Sequence, residues 1–101
     1  MRLSHYQRQA IVSAVKACFG PRAQVKLFGS RTDDEAKGGD IDLLITTDMH
    51  ELQDIIQAEL RCQMKLQQAL GEQKIDMLID YPSRGTHPPI FSIAEQSGVP
   101  L

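Results

Sequence analysis

Three aspartates and one Gly-Ser dipeptide are the residues of this chain whose types and spacing suit chemistry. Asp40 and Asp42 flank Ile41 at the head of the apolar run 41–45. Side chains two apart on a strand share a face, so the two carboxylates project together while Ile41 and Leu43 project the other way. At about 5 Å and an effective dielectric of about 20, such a pair repels by roughly 3 kcal/mol. That is a large local cost in a small domain of ordinary stability. A divalent cation offsets it. Hard oxygen donors suit magnesium, with manganese as the alternative, and magnesium keeps positions for waters and substrate phosphates. Asp76, between Ile75 and Met77 in a later strand-like run, joins the pair if its strand lies beside the first. Three carboxylates on adjacent strands are what a two-ion phosphoryl-transfer site requires, with ions about 3.5–4 Å apart. Gly29-Ser30 supplies the other half. Glycine lets the backbone approach a ligand closely, and serine offers a hydroxyl and an amide to phosphate oxygens.

The elements that position these residues follow from patterning. With 101 residues the chain reads as one domain, 1–101, burying roughly 60–70% of its unfolded surface. Ser4 with Gln7 three residues on is a capping-box signal for a helix reaching about Phe19. Ala10, Ile11, Ala14, Val15 and Cys18 recur on it at helical spacing and are expected to pack on a sheet. Gly20-Pro21 stops it. A first strand covers about Gln24 to Phe28, a polar connector 31–39, and a second strand about Asp40 to Thr46. Asp48 with Glu51 resembles a capped helix start, and this helix is expected to run to Ala69 or Leu70. Its stripe of Leu52, Ile55, Ile56, Leu60, Cys62, Leu66, Ala69 and Leu70 reads as core. Gly71 is a natural stop before a third strand, about Lys74 to Ile79. Strand, helix and strand make a parallel crossover. The first strand must run antiparallel to the second, or the Gly-Ser turn and the first carboxylate would not converge. The fold class is therefore α/β of the α+β kind, a small mixed β-sheet of about three strands with helices packed on it. After Asp80 the spacing predicts a loop and a short helix over 90–97, with Ile90, Ile93 and Ala94 inward. The apolar tail Val99-Pro100-Leu101 either packs locally or meets a partner.

Composition excludes several functions. A net charge of -2 carries no basic face for general nucleic-acid binding, and no apolar run approaches the ~20 residues of a membrane span. No Gly-x-x-x-x-Gly-Lys-Ser/Thr motif is present, so a nucleotide is not held as in P-loop proteins. Cys18 and Cys62 lack metal-ligand spacing and read as buried thiols of a reducing, cytoplasmic protein. His5, His50 and His87 read as surface or structural groups, and Asp33, Asp34 and Glu35 as a solvated segment. Arg31, directly after the Gly-Ser turn, either reaches a triphosphate or braces the loop. Lys37 is a weaker phosphate candidate.

An apolar residue, Gly-Ser, nine residues, Asp-apolar-Asp-apolar and a later apolar-Asp-apolar strand together resemble the nucleotidyltransferases of the DNA polymerase β superfamily. The Gly29-Ser30-Arg31 form and the run from Gly39 to Ile45 are most similar to its minimal nucleotidyltransferases (MNT), often paired with a HEPN-domain protein as antitoxin and toxin. The resemblance spans about Gln24 to Asp80. It implies a polymerase β-like nucleotidyltransferase fold and transfer of AMP from ATP to a hydroxyl. Asp40 and Asp42 would hold both ions. Asp76 would hold the ion at the acceptor, and Gly29 and Ser30 the leaving phosphates. It also implies AMPylation of a tyrosine on a HEPN toxin, with an antitoxin that acts by binding alone as the alternative. Homo- or hetero-oligomers suit so short a domain.

Overall fold

The computed structural model describes residues 3–29 and 41–101. The capping box is formed as the sequence requires: Ser4 Oγ accepts from the Gln7 amide at 3.1 Å, and the Ser4 amide donates to Gln7 Oε1 at 2.9 Å. It opens helix α1, His5–Phe19, which ends at Gly20. Strand β1 is Gln24–Phe28 and strand β2 is Ile41–Thr46. Helix α2, Leu52–Leu70, leads to strand β3, Ile75–Asp80. Helix α3, Pro89–Ser97, is followed by a two-residue strand β4, Val99–Pro100.

The sheet has four strands in the order β3-β2-β1-β4, one more than the sequence suggests. β2 pairs antiparallel with β1 and parallel with β3, as expected of the crossover. The additional strand is the apolar tail, which packs locally: Val99 and Pro100 pair with Leu27 and Lys26, and the Leu101 amide donates to Val25 O at 3.0 Å. A two-residue strand carries no periodicity of its own, so only the pairing reveals it.

Both faces of the sheet are covered, unequally. α1 and α2 pack on one, over a core that includes Val25, Leu27, Ile41, Leu43, Ile45, Ile75 and Ile79. α3 caps the other, where Phe91 and Ala94 meet Phe28 and Leu44, with Leu78 alongside. The α3 side chains that turn inward are therefore Phe91 and Ala94. Ile90 and Ile93, expected inside, are 45% and 58% exposed. A single turn of helix can rest on so narrow a sheet, and Phe91, the larger residue, takes that place.

α2 differs from expectation twice. It starts at Leu52 with Glu51 at the cap position and no side-chain cap, rather than at Asp48. The buried Thr47 hydroxyl explains the delay: it donates to Phe19 O at 2.8 Å and accepts from the Met49 amide at 3.2 Å, which holds the chain extended. Asp48 turns instead toward Arg22, 4.0 Å away on the surface. The apolar stripe is also only half buried. Ile55, Ala58, Cys62 and Leu66 are core, whereas Leu52, Ile56 and Leu60 are 54%, 49% and 63% exposed. Ala69 is exposed and Leu70 half-buried. β3 is the last strand of the sheet on that side, so among the described residues no further strand lies beyond it to cover the outer half of α2.

Cys62 is fully buried and Cys18 half-buried. Burial, with Cys18 close by, pushes the Cys62 thiol from its ordinary 9.0 up to about 12. In the native protein at pH 8, Cys62 should resist iodoacetamide, and it should react fully once the chain is unfolded; peptide mass spectrometry reads both. The folded thiol keeps its proton longer than the unfolded one. Its contribution to stability is thus complete below pH 9 and falls as pH rises from 9 toward 12.

Candidate active site

The site is built across the row where β1 ends and β2 and β3 begin. Phe28 is the register partner of Asp42, and Asp42 is the register partner of Asp76. Alternation along β2 buries Ile41, Leu43 and Ile45 completely under α1 and α2, so Asp42 must point to the other face. Asp76 does the same on β3, between Ile75 and Met77, which pack on the α1–α2 core. The two carboxylates thus rise side by side from strands about 4.8 Å apart, Asp42 half-buried and Asp76 exposed. Parallel pairing in this register accounts for the juxtaposition: one crossover helix returns β3 to the same level as β2.

Gly29 stands against them. It follows β1 directly and adopts φ +78°, a left-handed conformation that favours glycine. A Cβ built there would run into the Asp42 carboxylate, so only a glycine lets the end of β1 lie this close. Among the candidates read from sequence, Gly29, Asp42 and Asp76 are brought together here. Ser30, Arg31 and Asp40 lie outside the described residues, as do Asp33, Asp34, Glu35 and Lys37 of the connector. Among the described residues no group of three or more His, Cys, Asp or Glu is placed to hold a metal ion. Asp42 and Asp76 make a pair of hard oxygen donors, a set that fits magnesium or manganese once further oxygen ligands join it.

Below this row on the same face, Leu44 and Leu78 support α3, and below them Asp80 meets the loop before it. His87 Nε2 lies 2.8 Å from Asp80 Oδ1, and the His87 ring meets Phe91 edge-on at 5.4 Å. The Arg84 guanidinium lies over the Phe91 ring at 4.4 Å, with Nε buried and without a partner among the described residues. Nothing in the spacing of this loop singled out Arg84; only the placement of Phe91 reveals its role as a packed cation. Asp80 lies four residues beyond Asp76, about 13 Å along the strand. The His87–Asp80 pair therefore fastens the α3 loop and takes no part in the carboxylate row. A cavity of about 320 Å³ between α1, β1 and the C-terminus, lined by Val12, Val15 and Pro100 among others, opens on the opposite side of β1 from β2.

A parallel–antiparallel sheet with two carboxylates abreast of a glycine turn defines a class of protein. The family model described as "Nucleotidyltransferase domain" matches residues 8–97, nearly the whole chain. The protein belongs to this family, and its fold is the polymerase β-like nucleotidyltransferase fold. A comparison with curated proteins finds no match. Membership makes nucleotidyl transfer the general chemistry of the domain and a nucleotide its substrate. No helix among the described residues is long and apolar enough to cross a membrane.

The contact between Gly29 and Asp42 can be tested in isolation. Gly29→Ala should destabilise the protein by about 1–3 kcal/mol, through its left-handed backbone and the overlap with Asp42. Adding Asp42→Ala should recover part of that loss, because it removes the overlap and leaves the backbone strain. Urea melts of the four members of this double-mutant cycle measure the coupling. Strict additivity would show that the two residues do not touch.

Proposed function

We propose that this protein is a metal-dependent nucleotidyltransferase that moves AMP from ATP onto a protein hydroxyl, a tyrosine of a HEPN-domain toxin, and so acts as its antitoxin. The observation that carries the reading is the row Gly29, Asp42, Asp76: a glycine turn and two laterally paired carboxylates on one sheet face. Asp42 and Asp76, together with Asp40, would hold the divalent cations. When bound, these ions supply positive charge against the triphosphate and the developing oxyanions. Asp76, the more exposed of the described pair, faces the side from which an acceptor arrives, and its carboxylate accepts the hydroxyl proton. The acceptor oxygen forms the new bond to the α-phosphorus while the bond from that phosphorus to the α–β bridging oxygen breaks, and pyrophosphate leaves. The Gly29 backbone, with Ser30 and Arg31 following it, receives the β- and γ-phosphates.

A protein acceptor suits this site. Positioning supplies much of the catalysis of phosphoryl transfer, and Asp76, the carboxylate assigned to the acceptor, is exposed. A docked macromolecule brings its own positioning.

Co-expression with the HEPN partner should yield that partner heavier by one or more AMP units in intact-mass spectra. Asp42→Asn and Asp76→Asn should each lower the transfer by about 10²–10³-fold, the usual cost of losing one group that stabilises developing charge. Free nucleosides and small alcohols should be poor acceptors. A partner that remains unmodified, yet is neutralised equally by wild type and by Asp42→Asn, would replace the enzyme with an antitoxin acting by binding alone.

A further inference from the structure

Two unsatisfied surfaces meet at one edge of the molecule. The first is apolar: Leu52, Ile56, Leu60 and Met64 recur every four residues along α2 and are 54%, 49%, 63% and 62% exposed. The second is the outer edge of β3. Lys74 O accepts from the Ile41 amide and Asp80 O from the Thr47 amide, so the even-numbered residues of this strand turn their backbone toward β2. Ile75, Met77 and Ile79 turn theirs outward. Ile75 O is taken by Gln63 Nε2 at 2.9 Å. Among the described residues, the outward N–H and C=O groups of Met77 and Ile79 have no partner. A bare edge beside exposed leucine and isoleucine is a template for another strand.

We propose that the β3 edge and the outer face of α2 form the interface of a two-fold homodimer, with β3 pairing antiparallel to β3 of a second copy. Three features favour a second copy over any other strand. The first is a shared axis. The α2 stripe 52–64 is centred on Ala58, and the outward residues of β3 are centred on Met77. Gln63 bonds to Ile75, and Gln67 farther along α2 bonds to Gln73 farther back in the chain, which fixes how helix and strand lie together. From Ile75 to Met77 is about 6.6 Å of strand, equal to about four residues of helix. Met77 therefore lies abreast of Ala58 or Glu59. One two-fold axis brings both surfaces onto their own copies, as an isologous interface demands.

The second feature is charge. With Met77 opposite Met77 of the second copy, Lys74 falls opposite Asp80 of that copy, once on each side of the axis. Opposite charges directly across a strand pair are favourable. The third feature is exclusion of the neighbouring registers. Placing Met77 opposite Ile79 sets Asp76 against Asp80, a like-charge pair on both sides. Sliding the other way, Met77 onto Ile75, sets Asp76 against Asp76 on the axis and Glu72 against Asp80, like charges again. In the favoured register Met77 and the α2 stripe join on one side of the sheet. On the other, Asp76 stands opposite Leu78 of the second copy, so each carboxylate row borders the interface.

Sedimentation velocity and light scattering from micromolar to millimolar protein should show a species of twice the 11.3 kDa chain mass. Leu60→Lys, at a position 63% exposed in the monomer, should leave the circular dichroism spectrum unchanged and give a monomer throughout. Lys74→Glu and Asp80→Lys should each weaken dimerisation by about tenfold, two cross-strand charge pairs being lost. The double swap should restore it, because only residues of different copies face one another. His87→Gln, which releases only the pair between His87 and Asp80 within one copy, should leave the dimer unchanged. A monomer at every concentration overturns the proposal, whether or not another protein takes this face. So does a dimer indifferent to Leu60→Lys, or a double swap no tighter than the single variants. None of these readouts depends on nucleotide transfer.

Discussion

The register of β2 between its two neighbours is the constraint on which the rest of the structure depends. Ile41, Leu43 and Ile45 are each fully excluded from solvent beneath α1 and α2. Burying side chains of this size is worth about 1.5–3 kcal/mol each, so the three together rival the whole stability of a small domain. A slip by one residue would turn all three outward and drive Asp42 into the core. Burial of one face thus fixes the orientation of the other. Antiparallel pairing to β1 then sets Phe28 and the Gly29 turn beside Asp42, and parallel pairing to β3 sets Asp76 on its far side. Hydrophobic packing on one face makes the polar row on the opposite face.

The two layers of helix do different work. α1 and α2 complete the main core, and Thr47 joins them to the sheet by bonding the end of β2 to the end of α1. α3 is a partial lid on the other face. Phe91 and Ala94 cover the Leu44–Leu78 row and stop one step short of the Asp42–Asp76 row. Lys26 ties this helix to β1 through Glu95. Gly98 lets the chain turn tightly between Ala94 and the Lys26 side chain, where a Cβ would not fit. At the far end of β3, Asp80, His87, Phe91 and Arg84 hold the preceding loop. Among the described residues coverage stops one row short of the carboxylates, and Asp76 is exposed to solvent. β3 is likewise left as an edge strand among the described residues.

Much of this was legible in the sequence, for a physical reason. Local signals act over a few residues and act alone: the Ser4–Gln7 box, the Gly20 and Gly71 stops, and the alternation of 41–45 each specify their element without help. Pairing sense followed as well, because a strand–helix–strand run permits parallel neighbours and the convergence of Gly29 with the carboxylates requires β1 to run the other way. The adjacency of Asp42 and Asp76 is thereby implied by the sequence alone. Tertiary structure decided what depends on distant neighbours. The breadth of the buried stripe on α2 was set by where the sheet ends, which no periodicity in the helix records. The start of α2 was set by Thr47 reaching Phe19, twenty-eight residues away in sequence. Val99-Pro100 became a strand only because β1 offered a free edge, and Arg84 gained a place only because Phe91 lay beneath it. Sequence by itself determined the elements, their polarity and the face on which the carboxylates stand, since those follow from burial of alternate residues. Which surfaces remain uncovered was decided by packing, because exposure belongs to the assembled layers and not to any one segment.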